Sequence, residues 1–452
     1  MITLQERVHS SPPPVEWSLN KLHRVLRVRK GYKNIGMRED NLLSLSYGRV
    51  IRKDIDSAEG LLPESFETYQ VVEPGNIVMR LTDLQNDKRS LRQGLVKERG
   101  IITSAYDALE LKKGHDPRFW AYTLLGLDLA KYYYSLGGGV RQSIKFSDFP
   151  NDWIAAPDTD TQKAIADFLD RETARIDQLV EKKQRFVGLL EEKQAAQIAH
   201  FATKGLNPSA DLYDTGIDWI GSIPKHWKTR RLGTIFSFRN EKNDPVRTEQ
   251  ILSLSIAHGV TLYSEEEKTG GNKRKDDLSA YKLAFPGDIV LNSMNVIVGA
   301  VGRSQWLGAI SPVYYALYPI DKSAHVPYFE KIFLNSGFQR GLLRYGKGIL
   351  IKLSGTGKLN TIRMKISQTD LKALGMPVPP PDEQEVIASF LDKEIARFDE
   401  LKGKTNLSVK RLKEYSSALT IAAVTGQIDV ATWGKRGHAD RRLDEIEEAM
   451  LG

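Results

Sequence analysis

Ala166-Asp167-Phe168-Leu169-Asp170 returns 222 residues further along as Ala388-Ser389-Phe390-Leu391-Asp392. At the same offset Glu172, Ala174, Arg175 and Asp177 fall on Glu394, Ala396, Arg397 and Asp399. Matching of that density marks an internal duplication, and a repeat decides the architecture before any local reading does. The register holds upstream, where Arg141, Ile144, Ser147, Asp148 and Phe149 align with Arg363, Ile366, Thr369, Asp370 and Leu371, and downstream, where Thr203 aligns with Thr425. Toward the N-terminal side of each copy the offset drifts, as it does when loops differ in length. Leu43-Ser44-Leu45-Ser46 still answers Leu252-Ser253-Leu254-Ser255, and Tyr69 with Pro74-Gly75-Asn76-Ile77-Val78 answers Tyr281 with Pro286-Gly287-Asp288-Ile289-Val290. Pro14 and Trp17 answer Pro224 and Trp227, so each copy runs globular part first, helix second.

The repeated segments carry helical periodicity. Ile165, Leu169, Ile176, Leu179, Val187 and Leu190 form one apolar stripe, and Ile387, Leu391, Phe398, Leu401, Val409 and Leu412 form the other, at spacings of mostly three, four or seven. Proline bars earlier helix at Pro157 and at Pro379-Pro380-Pro381, with Asp158, Asp160 and Asp382 available to cap free backbone N–H groups. Gly205-Leu206-Asn207-Pro208 and Gly426 are the stops. A helix of about 40 to 45 residues reaches roughly 60 to 65 Å, too long for one small domain to bury. Each stripe therefore requires a partner, which the other copy can supply; the alternative is that each helix packs on its own globular part. The predicted fold class is α+β: two globular parts, each followed by a long helix, the helices pairing as an antiparallel coiled coil with pseudo-twofold symmetry. The partition is 1–152, globular; 153–207, helix; 208–375, globular; 376–430, helix; and 431–452, a tail containing the charged run Arg441 to Glu448.

The globular parts mix short β-like runs, such as Ile77-Val78-Met79 and Asp288-Ile289-Val290-Leu291, with Gly, Pro and Asn punctuation. In the first, Lys88, Arg89, Arg92, Lys97 and Arg99 cluster after Arg80, and Arg141 and Lys145 follow later. In the second, Lys268, Lys273, Arg274 and Lys275 form one basic stretch, and Lys347, Lys352, Lys358, Arg363 and Lys365 another. Arg141 and Arg363 hold the same repeat position. Such runs suit phosphate contact, and Asn292 and Asn295 add amides able to pair with adenine, although asparagine more commonly shapes turns.

Composition limits the rest. A chain of 452 residues with 41% hydrophobic and 27% charged residues is expected to fold as several domains. A net charge of +8 fits a polyanionic partner. No apolar run is long enough to span a bilayer, and the start MITLQERVHSSPPP lacks the apolar core of a signal peptide, which leads to a cytoplasmic expectation. The absence of cysteine removes thiolate metal sites and cysteine nucleophiles. Asp382 with Glu400 and Lys402 mimics a nuclease motif in spacing only, because Gln178 replaces Glu400 in the other copy. Ser354-Gly355-Thr356-Gly357-Lys358-Leu359 lacks the earlier glycine and the final hydroxyl of a phosphate-binding loop. Gly137-Gly138-Gly139 lacks dinucleotide-site spacing, no Asn-Pro-Pro-aromatic segment occurs, and the eight histidines show no metal-ligand pattern. The expectation is a non-catalytic chain with no metal and no cofactor of its own.

Three stretches carry a family likeness: Pro379-Pro380-Pro381-Asp382-Glu383-Gln384 running into Ile387-Ala388-Ser389-Phe390-Leu391-Asp392, the helix end Ala423-Val424-Thr425-Gly426-Gln427-Ile428-Asp429, and Pro286-Gly287-Asp288-Ile289-Val290. With the duplicated layout they resemble the specificity subunit of type I restriction-modification systems, over nearly the whole chain. The resemblance implies that each globular part is a target recognition domain reading one half of a bipartite double-stranded DNA target, with the helices setting the gap. It further implies two modification subunits that dock on the helices and bring S-adenosylmethionine, and restriction subunits that bring ATP and Mg. A rival reading is a structural adaptor whose duplicated modules grip protein partners.

Overall fold

The computed structural model describes residues 2–9, 11–55, 65–84, 91–136, 143–256, 258–263, 277–349, 352–353, 359–360 and 363–433. The chain divides into two compact units that cut across its linear order: Met1–Arg185 with Lys404–Gly452, and Phe186–Gly403. Each unit thus takes one half of each long helix. Beyond the short helix Val430–Trp433, the tail, including the run Arg441 to Glu448, lies outside the described residues.

The long helices are Thr159–Lys204 and Pro381–Val424, of 46 and 44 residues. In the first unit the opening half of the first helix buries Ile165, Ala166, Phe168, Leu169, Ile176 and Val180 in one core with Val409, Leu412, Leu419, Ala423 and Val424 from the closing half of the second. In the second unit Ile198 and Ala202 share a core with Ile387, Ala388 and Leu391. Start packs with end in both units, which is antiparallel pairing. Leu401, read from periodicity as part of the apolar stripe, is instead 38% exposed.

Helix ends follow from local chemistry. Asp158 caps the first helix, its Oδ1 accepting the N–H groups of Asp160 and Thr161 at 3.0 Å each. Asp382 does not cap the second: Pro381 occupies the first helical position, where the missing N–H costs nothing, and Asp382 sits inside the first turn. A shared device does similar work in both. Gln162 Nε2 donates to the Pro157 carbonyl at 2.9 Å while its Oε1 accepts the Asp116 N–H at 3.0 Å; Gln384 bonds the Pro379 carbonyl and the His325 N–H at 2.8 Å each. Asp116 and His325 precede the globular-part helices Pro117–Leu129 and Val326–Leu334. One buried amide therefore ties each globular part to the start of its long helix. Ion pairs reinforce the tie, Arg118 to Asp167 and Asp170 at 2.6 and 2.9 Å, and Lys331 to Asp392 at 2.5 Å.

At the far ends, Gly205 and Gly426 adopt φ of +72° and +74°, the left-handed conformation that stops a helix. A tryptophan covers each. A Cβ on Gly205 would lie 3.1 Å from Trp227 Cζ2, and one on Gly426 would lie 3.1 Å from Trp17 Cζ2 and 2.3 Å from Pro14 Cδ. The N-terminal segment of the first unit is seated on the end of the second helix much as residues 224–227 are seated on the end of the first.

Both globular parts are built on a four-stranded antiparallel sheet. In the first the order is Leu26–Val28, Asp107–Leu111, Ile77–Met79, Gln93–Leu95; in the second, Phe236–Arg239, Tyr314–Pro319, Ile289–Asn292, Val301–Arg303. Strand side chains alternate between faces, and here both faces are covered. Ile77 and Met79 join the large core while Val78 joins Leu43, Val72, Val96, Ile102 and Ala108. Ile289 and Leu291 likewise oppose Val290, which packs with Leu252, Val260, Ala284, Ile310 and Ala316. The strands read as unbroken apolar runs for this reason. The Pro-Gly-Asn and Pro-Gly-Asp signatures are the turns that launch them: Gly75 and Gly287 stand at φ +90°, and Asn76 Oδ1 and Asp288 Oδ2 accept the N–H of Glu73 and Phe285 at 2.8 Å.

Replacing Gln384 by Leu leaves a buried N–H and a buried carbonyl unpaired, so the second unit loses about 3 kcal/mol. Denaturant unfolding of the Gln384→Leu variant checks this, and an unchanged midpoint contradicts it.

Candidate nucleic-acid interface

Among the described residues, the basic side chains singled out in the first globular part do not form one patch. Gln93–Leu95 runs antiparallel to Ile77–Met79, with Met79 opposite Gln93 and Ile77 opposite Leu95. Residues 80 and 92 therefore meet at one strand end, where the Arg80 N–H donates to the Arg92 carbonyl at 2.7 Å. Lys97 and Arg99 sit at the other end, beside the turn in which the Gly75 N–H bonds the Val96 carbonyl at 2.9 Å. Arg99 pairs there with Glu39 and Glu73 at 2.9 and 2.5 Å, so its charge is offset within the domain.

Arg92 requires correction as a candidate for touching DNA. Its residue is 0% exposed, and its guanidinium donates to the carbonyls of Thr82 and Asp83 at 3.0 and 3.4 Å. Its backbone N–H is held by Asp128 Oδ2 at 2.7 Å. A side chain spent on organising the loop after Met79 cannot reach a partner. Arg80 is half-buried at the same strand end. Lys145 is exposed, and it stands beside this end because the adjacent Ile144 donates its N–H to the Leu81 carbonyl at 2.9 Å.

The second unit builds the same junction: the Ile366 N–H donates to the Ser293 carbonyl at 3.1 Å, joining the end of Ile289–Asn292 to the segment after Arg363–Lys365. Asn292 shapes the turn, its Oδ1 accepting the Met294 N–H at 3.0 Å, and Asn295 heads the short 3-10 turn Val296–Val298. Lys365 is exposed, in a strand that pairs with Lys347–Ile349 and sets Lys347 opposite Lys365 in register. Lys352 lies in a second small pair, Lys352–Leu353 with Leu359–Asn360. Lys88, Arg89, Arg141, Lys273, Arg274 and Lys358 lie outside the described residues.

The rim of the recurring junction thus carries Arg80 and Lys145 in one unit, and Asn292, Asn295 and Lys365 in the other, with Arg363 opening the strand that ends at Lys365. Sequence reasoning missed Lys282, whose ammonium belongs to the second rim. Its only signal was a mismatch in the repeat, since Tyr281-Lys282 aligns with Tyr69-Gln70. Among the described residues, no group of three His, Asp or Glu side chains is placed to hold a metal ion, and no helix is long and apolar enough to cross a membrane.

The chain is thus a duplicated α+β fold with two modules on paired helices and a polar, partly cationic rim on each. Residues 224–411 match the family model of the type I restriction modification DNA specificity domain. Over 212 residues the chain is 27% identical to the type I restriction enzyme MjaX specificity subunit of Methanocaldococcus jannaschii, a match covering 43% of this chain and 44% of that protein. The chain therefore matches less than half the length of this curated relative. Its fold is similar to a chain solved in work on complex assembly and conformational transition of the type I R-M system, with TM-score 0.66 and 16% identity over 92% of this chain and 100% of the other. Residues 224–411 are thus similar to that DNA specificity domain, and the fold of nearly the whole chain is similar to that of the solved type I R-M chain.

Arg92→Met strips two carbonyls of their donor in a buried loop and destabilises the first unit by about 2 to 3 kcal/mol, whereas Lys145→Ala stays within about 0.5 kcal/mol of the parent. Thermal unfolding of the two variants distinguishes them, and equal effects would show that Arg92 is not a structural arginine.

Proposed function

We propose that this chain is the DNA-sequence-specificity subunit of a type I restriction-modification enzyme. Each globular part reads one half of a bipartite double-stranded target, and the long helices set the gap and dock two modification subunits. The observation that supports this most is the recurrence of one backbone junction, Leu81 to Ile144 and Ser293 to Ile366, dressed with different polar and basic side chains. An equal scaffold presenting unequal rims suits two readers of unequal half-sites. We assign no catalysis to the chain: S-adenosylmethionine is brought by the modification subunits, and ATP and Mg by restriction subunits, in the cytoplasm.

Charge supports affinity and groove contacts support choice in such a reader. Arg363→Ala and Arg141→Ala each weaken duplex binding by the full chain, read as a fall in the slope of log affinity against log salt of about one for each phosphate no longer neutralised. Unaltered slopes in both variants would remove these arginines from the interface. Exchanging residues 208–375 for the corresponding part of another specificity subunit changes one half of the methylated motif and leaves the other intact, as mapped by methylation of cellular DNA. Altered bases in both halves, or in neither, would sink the division of labour, and an adaptor for protein partners would show no sequence preference at all.

A further inference from the structure

The two units place different side chains at one equivalent point beside the rim. Gln70 and Lys282 each open the first strand of a small antiparallel pair, opposite Ile102 and Ile310. Each forms an isolated bridge as well, to Lys33 and to Lys242. Each follows a tyrosine, Tyr69 or Tyr281, whose carbonyl accepts the N–H of a buried asparagine, Asn34 or Asn243, at 2.9 Å. The positions are therefore the same by register, bridge and neighbouring hydrogen bond.

Both side chains perform one structural task. Gln70 Nε2 donates to the Tyr106 carbonyl at 2.7 Å and to the Thr103 carbonyl at 3.1 Å; Lys282 Nζ donates to the Tyr314 carbonyl at 3.1 Å. Tyr106 and Tyr314 correspond, each directly preceding the residue that register aligns, Asp107 in one unit and Tyr315 in the other. A neutral amide suffices for this bond in the first unit. The positive charge of Lys282 is surplus to it.

The surroundings differ in the same sense. Asp107 Oδ2 accepts the Phe146 N–H at 2.8 Å in the first unit. In the second, Tyr315 replaces that acid, and Lys282 Nζ stands 5.3 Å from the centre of its ring. The Tyr315 hydroxyl donates to the Ile366 carbonyl at 3.1 Å, which brings exposed Lys365 alongside. Among the described residues, no carboxylate forms an ion pair with Lys282 or Lys365. Burial pushes the Lys282 ammonium below the ordinary lysine range, and the charge of Lys365 pushes the same way. Two neighbouring cations that disfavour each other are relieved by a bound anion.

We propose that Lys282 and Lys365 form a phosphate site of the second unit, seating one backbone phosphate of duplex DNA, where the first unit has Gln70 in place of Lys282. The site rests on the DNA-reading function above and adds where the second half neutralises the backbone. Lysine acts on phosphate as a point charge, so the site positions the second unit on its half-site without choosing bases.

The test is Lys282→Gln in the full chain, which installs the first unit's own residue and preserves the carbonyl bond, with Lys365→Ala as a second variant at an exposed position. Binding to a fluorescent duplex of mixed sequence, and to a panel of other sequences, is titrated over a range of salt. Each variant is expected to keep the parental unfolding temperature, to bind every duplex about tenfold more weakly, and to lower the salt slope by about one. Parental affinity and slope in both variants, with the parent binding normally, would overturn the site alone. Altered discrimination among sequences with an unchanged slope would overturn it in favour of a base contact. A parent that shows no salt-dependent duplex binding would overturn the DNA reading, and the site with it.

Discussion

The structure depends on two helices too long to be buried by their own domains. Each carries its apolar stripe past the point where its globular part can cover it, and the uncovered half must find apolar surface elsewhere. The second copy of the same stripe provides it, so Ile165, Leu169 and Ile176 pack with Val409, Leu412 and Leu419, and Ile198 and Ala202 with Ile387 and Leu391. The first compact unit is therefore made from two separate stretches of chain, Met1–Arg185 and Lys404–Gly452, while the second, Phe186–Gly403, takes in parts of both helices. The first unit cannot complete its core until residues beyond 404 exist, which ties its stability to the end of the sequence.

Duplication preserved the interactions that hold this frame and released the rest. Gln162 and Gln384 make matching pairs of buried hydrogen bonds, Gly75 and Gly287 share a left-handed turn, and Asn34 and Asn243 meet the same tyrosine carbonyl. Each is buried or conformationally constrained, so substitution leaves an unpaired group or a strained backbone. Exposed rim positions such as Lys145 and Lys365 face neither cost. Arg80, Lys145, Asn292 and Lys365 stand where the backbone coincides and the side chains do not.

Whether a feature was legible in the sequence followed the range of the interaction behind it. The helices and their ends were readable because periodicity, proline at Pro157 and Pro381, and glycine at Gly205 and Gly426 act within one or two turns. Antiparallel pairing followed from length and from the repeat. The first basic cluster was misread because proximity in sequence ignores a three-residue strand: Gln93–Leu95 carries Arg99 to the opposite end from Arg80. Arg92 was misread because its burial depends on Asp128, thirty-six residues away, and on carbonyls that only the folded loop presents. Leu401 fits the helical period, but period alone does not say how far a partner extends.

Lys282 shows where structural and functional demands on one residue can be separated. A core residue is fixed by packing, and a fully exposed one carries little information about partners, since most exposed charges are simply solvated. Lys282 lies between these, holding a carbonyl that its counterpart Gln70 holds without charge. The difference between them is therefore close to a pure difference of charge at constant backbone. A duplicated scaffold supplies that comparison internally: what the copies share reports the cost of folding, and a half-buried charge present in one copy alone reports something folding did not require.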